Sequence, residues 1–438
     1  MSKLEELLTK LCPNGVEYKF LEEIFNTRNG YTPSKNKKDF WENGVIPWFR
    51  MEDIRVNGRI LNAALQYVSR EALKGKAFPK NSIIIATSAT IGEHALVTVE
   101  SLANQRFTYL MLKDEYKDRF DIKFIYYYCF RLDEYCLACL NQGNFASVDM
   151  KKFVKFKFPL PPLEVQREIV RILDNFTELI AELTAELTAR KKQYEYYRDN
   201  LLKFDISIPK VKLKDIATDI YRGSGITREQ VTEDGIPCVR YGEIYTTYNI
   251  WFDECKSHTI IENIANPKYF EYGDILFAIT GESVEDIAKS ITYVGNEKCL
   301  AGGDIVVLKH NQNPKYLSYV LSTHNAQQQK SKGKIKSKVV HSSIPAIEEI
   351  EIPLPDLEVQ NRLVNVLDNF DAICTDLNIG LPAEIEARQR QYEYYRDSLL
   401  TFVECGNTIL TDRQTDRQTD RQTDRQTDRQ TDRQTDIN

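Results

Sequence analysis

The sequence is poor in the residues that usually carry chemistry. Its five histidines (His94, His258, His310, His324 and His341) share no ligand spacing and have no obvious nucleophile partner. It has no H-E-x-x-H, no G-x-x-x-x-G-K-[ST] phosphate loop and no G-x-G-x-x-G dinucleotide fingerprint. It also lacks the Asn-Pro-Pro-[Tyr/Phe] run of an adenine methyltransferase. Gly281 to Ser290 comes nearest to a phosphate loop but lacks the second glycine. Adjacent carboxylates such as Glu52 and Asp53 are expected to point apart on a strand. Nine cysteines in 438 residues make no disulfide framework. The one Cys-x-x-Cys, Cys136 and Cys139, has no second ligand pair and reads as buried helical thiols. No apolar run reaches transmembrane length. The stretch Met1 to Leu11, with Lys3, Glu5, Glu6 and Lys10, is too polar for a signal peptide, so a cytosolic (cytoplasmic) chain with no membrane role is expected.

What the sequence does have is an internal repeat. Pro159-Leu160-Pro161-Pro162-Leu163-Glu164-Val165-Gln166 returns as Pro353-Leu354-Pro355-Asp356-Leu357-Glu358-Val359-Gln360, and Leu173-Asp174-Asn175-Phe176 returns as Leu367-Asp368-Asn369-Phe370. Gln193-Tyr194-Glu195-Tyr196-Tyr197-Arg198-Asp199 returns as Gln391-Tyr392-Glu393-Tyr394-Tyr395-Arg396-Asp397, displaced by four further residues near Ile379-Gly380-Leu381-Pro382. Each copy reads as a long helix: prolines end the preceding strand, and Glu164 or Glu358 lies in the first turn, where the helix dipole favours an anion. Ile169, Leu173, Phe176, Ile180, Leu183, Leu187, Tyr194, Tyr197 and Leu201 step by three and four, with one break at Arg190. That is a coiled-coil seam. The second seam, Leu363 to Leu399, contains a stutter, and Gly380 with Pro382 predicts a kink or break there. A helix from Leu163 to Lys203 would span roughly 60 Å. It reads either as a generic coiled coil or as a spacer of set length. Ile180-Ala181-Glu182-Leu183 and Thr184-Ala185-Glu186-Leu187 are near-copies. One such unit is worth about 6 Å and about 40° of rotation, the scale of one or two base pairs of DNA rise.

Each helix follows a segment of about 145 residues, a length counted from the sequence. Ile46 to Ile54 matches Ile236 to Ile244, each after a turn: Arg28-Asn29-Gly30-Tyr31-Thr32-Pro33 or Arg222-Gly223-Ser224-Gly225-Ile226-Thr227. Apolar strands Ser82 to Ala86 and Asp274 to Ala278 come next, then Leu102-Ala103-Asn104-Gln105 and Leu300-Ala301-Gly302-Gly303. Short β runs among helical patches indicate an α+β fold. The frame agrees and the residues between diverge, as two different targets would require.

The net charge of −6 weighs against nucleic-acid binding until it is partitioned. Residues 14–158 hold 22 Lys and Arg against 17 Asp and Glu, whereas 353–405 hold 4 against 10. A basic face can coexist with an acidic handle. Lys35, Lys37, Lys38, Lys151, Lys152, Lys155 and Lys157 suit phosphate contacts, as does the alternating run Lys330, Lys332, Lys334, Lys336 and Lys338. Candidates for base reading are Arg28, Arg50, Asn104, Gln105 and Arg106, with Arg222, Arg228 and Arg240 in the second segment. Arg50 and Arg240 lie in the shared frame, so they either read bases or brace it. Trp48 and Trp251 read as core.

Two similar domains, each followed by a Pro-Leu-Pro-x-Leu-Glu-x-Gln helix ending in Gln-Tyr-Glu-Tyr-Tyr-Arg-Asp, resemble the specificity subunit of type I restriction–modification enzymes over residues 1 to about 403. The resemblance implies two globular target-recognition domains separated by two long antiparallel helices in a pseudo-twofold repeat. Its parts would be an N-terminal helix (1–13), recognition domain one (14–158), a spacer helix (159–204), recognition domain two (205–352), a second helix (353–405) and a tail (406–438). It also implies a non-catalytic reader of double-stranded DNA with a bipartite, asymmetric site, in which the helices set the gap and dock methyltransferase subunits. Motor–nuclease (restriction) subunits would join for cleavage. S-adenosylmethionine, ATP and Mg would belong to those partners, with no cofactor or metal in this chain. A protein–protein scaffold with no DNA role, or an enzyme with an unrecognised site, would account for the same repeat without this resemblance.

Thr411 to Asp436 repeats Thr-Asp-Arg-Gln six times and then adds Thr-Asp. It has no apolar residue and is expected to be disordered. ACA-GAC-AGA-CAG encodes that peptide as copies of ACAG. All three frames of such a tract give the same peptide, so slippage by one unit changes only the residues after Asp436. The expectation is a phase-variable gene. Sequencing of sister colonies tests it: an invariant tract, or synonymous codons breaking the tetranucleotide, would remove it.

Overall fold

The computed structural model describes residues 2–141, 146–205, 208–284, 286–330, 334–336, 339–375 and 380–405. The tail from 411 to 436, Lys332 and Lys338 lie outside the described residues. The chain forms two compact units: Met1–Leu179 with Arg388–Asn438, and Ile180–Ala387.

The first head is built on a five-stranded sheet in the order Phe25–Asn29, Phe107–Leu112, Ser82–Ala86, His94–Val97, Ile60–Leu61. The second head repeats it strand for strand: Ala217–Arg222, Ile305–His310, Ile275–Ala278, Ser290–Tyr293, Trp251–Phe252. In both, the last pair is parallel and the others antiparallel. The central strands Ser82–Ala86 and Ile275–Ala278 are buried throughout, which is why they read as unbroken apolar runs rather than alternating ones. A second sheet, three-stranded in the first head and five-stranded in the other, holds the parallel pair Trp48–Phe49 with Leu102–Ala103, and in the other head Cys238–Val239 with Leu300–Ala301.

Glu52 and Asp53 stand on a short helix, Met51–Asn57, and not on a strand as the sequence suggested. Asp53 is buried because it accepts from two backbone amides, those of Arg50 at 2.7 Å and Leu65 at 2.6 Å. Glu52 stays outside and pairs with Arg50.

The first long helix runs Leu163–Leu201, 39 residues. The second repeat is two helices, Leu357–Thr375 and Gly380–Leu399. Gly380, where the second of these begins and which the sequence marked, has φ +72°, in the left-handed region that glycine tolerates. Pro382 then falls in the first turn, where its missing N–H costs nothing. The N-terminal helix, Lys3–Leu11, is closed by a capping box: Ser2 Oγ accepts from Glu5 N, and Glu5 Oε2 accepts from Ser2 N.

The repeated motifs act as anchors. Gln166 is fully buried at the start of its helix. It donates to the carbonyls of Pro161 (2.7 Å) and Arg119 (2.8 Å) and accepts from Asp121 N (2.8 Å). Gln360 does the same work with Pro355 O, Gln312 Oε1 and Asn313 N. Asp174 accepts from Lys123 Nζ and Tyr127 Oη, both at 2.7 Å; Asp368 accepts from Lys315 Nζ at 2.8 Å and Tyr319 Oη at 2.6 Å. Burial, and then the neighbouring carboxylate, push both tyrosines above the ordinary phenol range. The C-terminal motif closes each unit. In the first, Phe176 stacks on Tyr395 at 5.3 Å, and Arg396 lies over Phe130 with Tyr392 buried beside it. In the second, Tyr194 packs with Leu363 on the core around Leu367 and Tyr319. Seam residues Ile180, Leu183, Leu187 and Tyr194 are half-buried between exposed neighbours. The seam is therefore real but shallow there, and Tyr197 and Leu201 are exposed.

Candidate nucleic-acid interface

Each head offers one exposed edge at the end of its first strand. Asn29 is the last residue of one ladder, opposite Thr108, and Arg222 is the last of the other, opposite Val306. A glycine comes directly after both. A Cβ on Gly30 would collide with the carbonyl oxygen of Ala103, and one on Gly223 with that of Gly302. Only glycine lets the strand end press against the turn 103–106 or 301–304. The turn residues Asn104, Gln105 and Arg106 thereby come beside Asn29, as Gly303 and Asp304 come beside Arg222.

The predicted site residues divide into three groups. Several are free to meet a ligand: Lys35, Lys37, Lys38, Arg106, Lys151, Lys152 and Arg228 are all exposed, and Gln105 is exposed but accepts from Thr32 Oγ1. Others are partly engaged. Arg28 lies 4.0 Å over the Phe78 ring and donates to Lys76 O. Asn104 accepts from Arg106 N and so shapes its own turn. Arg222 is exposed but held by Gly303 O and by Asp304 Oδ1 at 2.5 Å. A third group is structural. Arg50 is half-buried against Trp48 and pairs with Glu52; Arg240 is half-buried and 3.8 Å from Glu243. Each therefore has a bracing contact within the frame. Lys334 and Lys336 lie on a strand that pairs with Val339–His341, itself paired with Thr280–Gly281.

One lysine corrects the sequence reading. Lys330 is buried, not a phosphate contact. Its Nζ donates to Ser290 Oγ at 2.8 Å and Leu321 O at 2.7 Å, and burial pulls its pKa down to about 7. Lys155 and Lys157 are exposed and pair with Glu22 and Glu404 within the first unit. Trp48 is core, as expected; Trp251 is half-buried beneath Lys315. Cys136 and Cys139 are buried, and among the described residues no group of three or more His, Cys, Asp or Glu is placed to hold a metal ion. Nor, among them, is any helix long and apolar enough to cross a membrane.

Comparison with known proteins fits this architecture. The model of the type I restriction modification DNA specificity domain matches residues 13–190 and again 205–387. The chain belongs to that family, and it is a specificity subunit. It is 41% identical over 398 residues to the type I restriction enzyme EcoprrI specificity subunit of Escherichia coli, covering 86% of this chain and 92% of that one. It is 30% identical over 293 residues to the EcoR124I/EcoR124II specificity subunit of Escherichia coli, covering 64% of this chain and 71% of that one. A chain from a solved type I R-M system superposes with a TM-score of 0.58 at 17% identity, covering 89% of this chain and 98% of that one. At that identity the likeness speaks for the fold.

Proposed function

We propose that the two heads each read one half of a bipartite, asymmetric site in double-stranded DNA. The helices fix the gap and present the chain to methyltransferase and restriction subunits. The observation that carries this is the pairing of sameness and difference. Both heads have one strand order, one glycine-tightened edge and one set of Gln, Asp and Tyr anchors to their helix. Yet the residues at that edge are unlike: Asn29, Gln105 and Arg106 on one head, Arg222, Gly303 and Asp304 on the other. A scaffold for one protein partner has no need of two divergent edges on one frame. Exposed lysines supply phosphate contacts, which position the duplex and make affinity fall with salt. Adenine methylation and cleavage belong to the partners, which would hold S-adenosylmethionine, ATP and Mg. The assigned boundaries are 14–158 and 205–352 for the recognition domains and 159–204 and 353–405 for the spacers.

The test is to map methylated adenines in a host with its methyltransferase subunit, with and without this gene. A two-part motif that appears only with the gene is expected. Its absence, or turnover by the purified chain alone, overturns the reading.

A further inference from the structure

On the first head a cleft of about 590 Å³ opens beside Asn29, lined by Thr87, Gln105, Asn141, Ser147 and Lys151. These side chains are polar, although the sheet core lies directly beneath. Its floor is a pair of buried hydroxyls. Thr108 Oγ1 donates to Asn29 Oδ1 at 2.9 Å, so Thr87 Oγ1, 2.9 Å from Thr108 Oγ1, donates to Thr108 in turn. The relay pins the Asn29 amide with its carbonyl oxygen inward and its NH₂ outward. Gln105, itself exposed, accepts at Oε1 from Thr32 Oγ1 at 2.6 Å. Two amides, each hydrogen-bonded to a threonine hydroxyl, therefore border the cleft, with the exposed Lys151 beside them. Base discrimination needs such an arrangement: donors held by their own protein do not spend binding energy on becoming ordered.

The second head lacks the relay. Ile279 takes the place of Thr87: its amide bonds to Asp304 O as Thr87's bonds to Arg106 O. Val306 replaces Thr108 opposite the edge residue. The edge residue is then Arg222, steered by Gly303 O and Asp304 in place of threonines. One backbone position thus carries a buttressed amide on one head and a buttressed guanidinium on the other.

Building on the DNA-reading function above, we propose that this position is a specificity-determining residue in both heads. Asn29 donates to a base edge in one half-site and Arg222 to a base edge in the other. An outward NH₂ suits bases presenting acceptors, the O6 and N7 of guanine or the O4 of thymine. Asn29→Asp exchanges those donors for acceptors, which suit the exocyclic amines of cytosine and adenine.

The experiment uses the full chain co-expressed with its methyltransferase subunit in a host free of other adenine methylation, with all methylated sites mapped. Asn29→Asp is expected to shift the preferred base at one position of one half-site, on the order of tenfold in relative methylation. The other half and the gap stay unchanged. Thr108→Val keeps the amide but removes its buttress and should relax that same position. Arg222→Gln should alter a position in the opposite half. Wild-type motifs from both Thr108→Val and Arg222→Gln overturn the assignment, whatever Asn29→Asp does to folding. So does a changed position for Arg222→Gln in the half that responds to Thr108→Val. A wild-type chain that directs no bipartite methylation removes the DNA-reading function itself and is recognised before any variant is made.

Discussion

The two heads share a backbone plan but fill one interior slot with opposite chemistry. His94 and Ser290 occupy the same place, the first residue of the strand beside the central one, opposite Ile85 and Phe277. In the first head His94 is fully buried. Its Nδ1 lies 2.6 Å from Asp133 Oδ2, Arg59 reaches the same oxygen at 3.4 Å, and the rings of Tyr126 and Phe130 enclose the imidazole. In the second head Ser290 accepts from the buried Lys330, which also bonds to a backbone carbonyl. A carboxylate with a cation on one side thus corresponds to a buried amine among neutral acceptors on the other. The lesson is that strand order does not dictate this polar infill. An unpartnered buried polar group costs about 1–3 kcal/mol, and the first head carries that cost at His94 Nε2 and Asp133 Oδ1, which have no hydrogen-bond partner among the described residues.

The comparison is broken most forcefully at Asp133. Asp133→Ala strands His94 and Arg59 together, and removing one member of a buried pair typically costs about 3–5 kcal/mol. The expected loss is about 3 kcal/mol, confined to the first head. Hydrogen exchange should quicken in Ser82–Val97 and leave Ile275–Tyr293 protected. Equal loss in both strand sets would mean that the heads do not unfold as separate units.

A smaller effect tests where the heads agree. Asp174→Ala and Asp368→Ala each remove one acceptor from a lysine and a tyrosine. The carboxylates keep about a third of their exposure, at 32% and 31%, which softens the penalty. About 1–2 kcal/mol is expected from each by denaturant unfolding, and the two values should match within about 0.5 kcal/mol. A large inequality would show that the repeated Leu-Asp-Asn-Phe motif does different work in its two copies.

The helices and their anchors were legible because the repeat wrote them twice. Periodicity located Leu163–Leu201, and the stutter located the break at Gly380. The sheet order was not legible, since it depends on pairings between segments far apart in the chain. At the edge, aligning Arg28 with Arg222 hid the true correspondence. The register sets Asn29 against Arg222, and aligning Gly30 with Gly223 would have found it. Lys330 misled for another reason. It looks like the first of an alternating basic run, but it ends the helix His324–Lys330 and turns inward, which no composition reveals. Gln166 and Gln360 stand out in the sequence only as part of a signature. Their physical reason, three hydrogen bonds at a helix start, is visible only in the folded chain.

Lys330 sharpens the contrast through pH. Its folded pKa is about 7, against about 10.4 for an unfolded lysine. Between those values the unfolded chain binds more protons than the folded one, so stability rises with pH across that window and is flat, at its lower level, below it. The gain contributed by this residue between pH 7 and 8 is about 1 kcal/mol. Lys330→Met removes the titrating group, and with it Ser290 and Leu321 lose a donor. That loss sets a constant offset, whereas the slope is the diagnostic. Unfolding of the second head, followed at several pH values from 6.5 to 9, should show wild type gaining on the variant as pH rises. Parallel curves would mean that Lys330 keeps its proton when folded, and the second head's infill would then be a buried ammonium as charged as the first head's carboxylate.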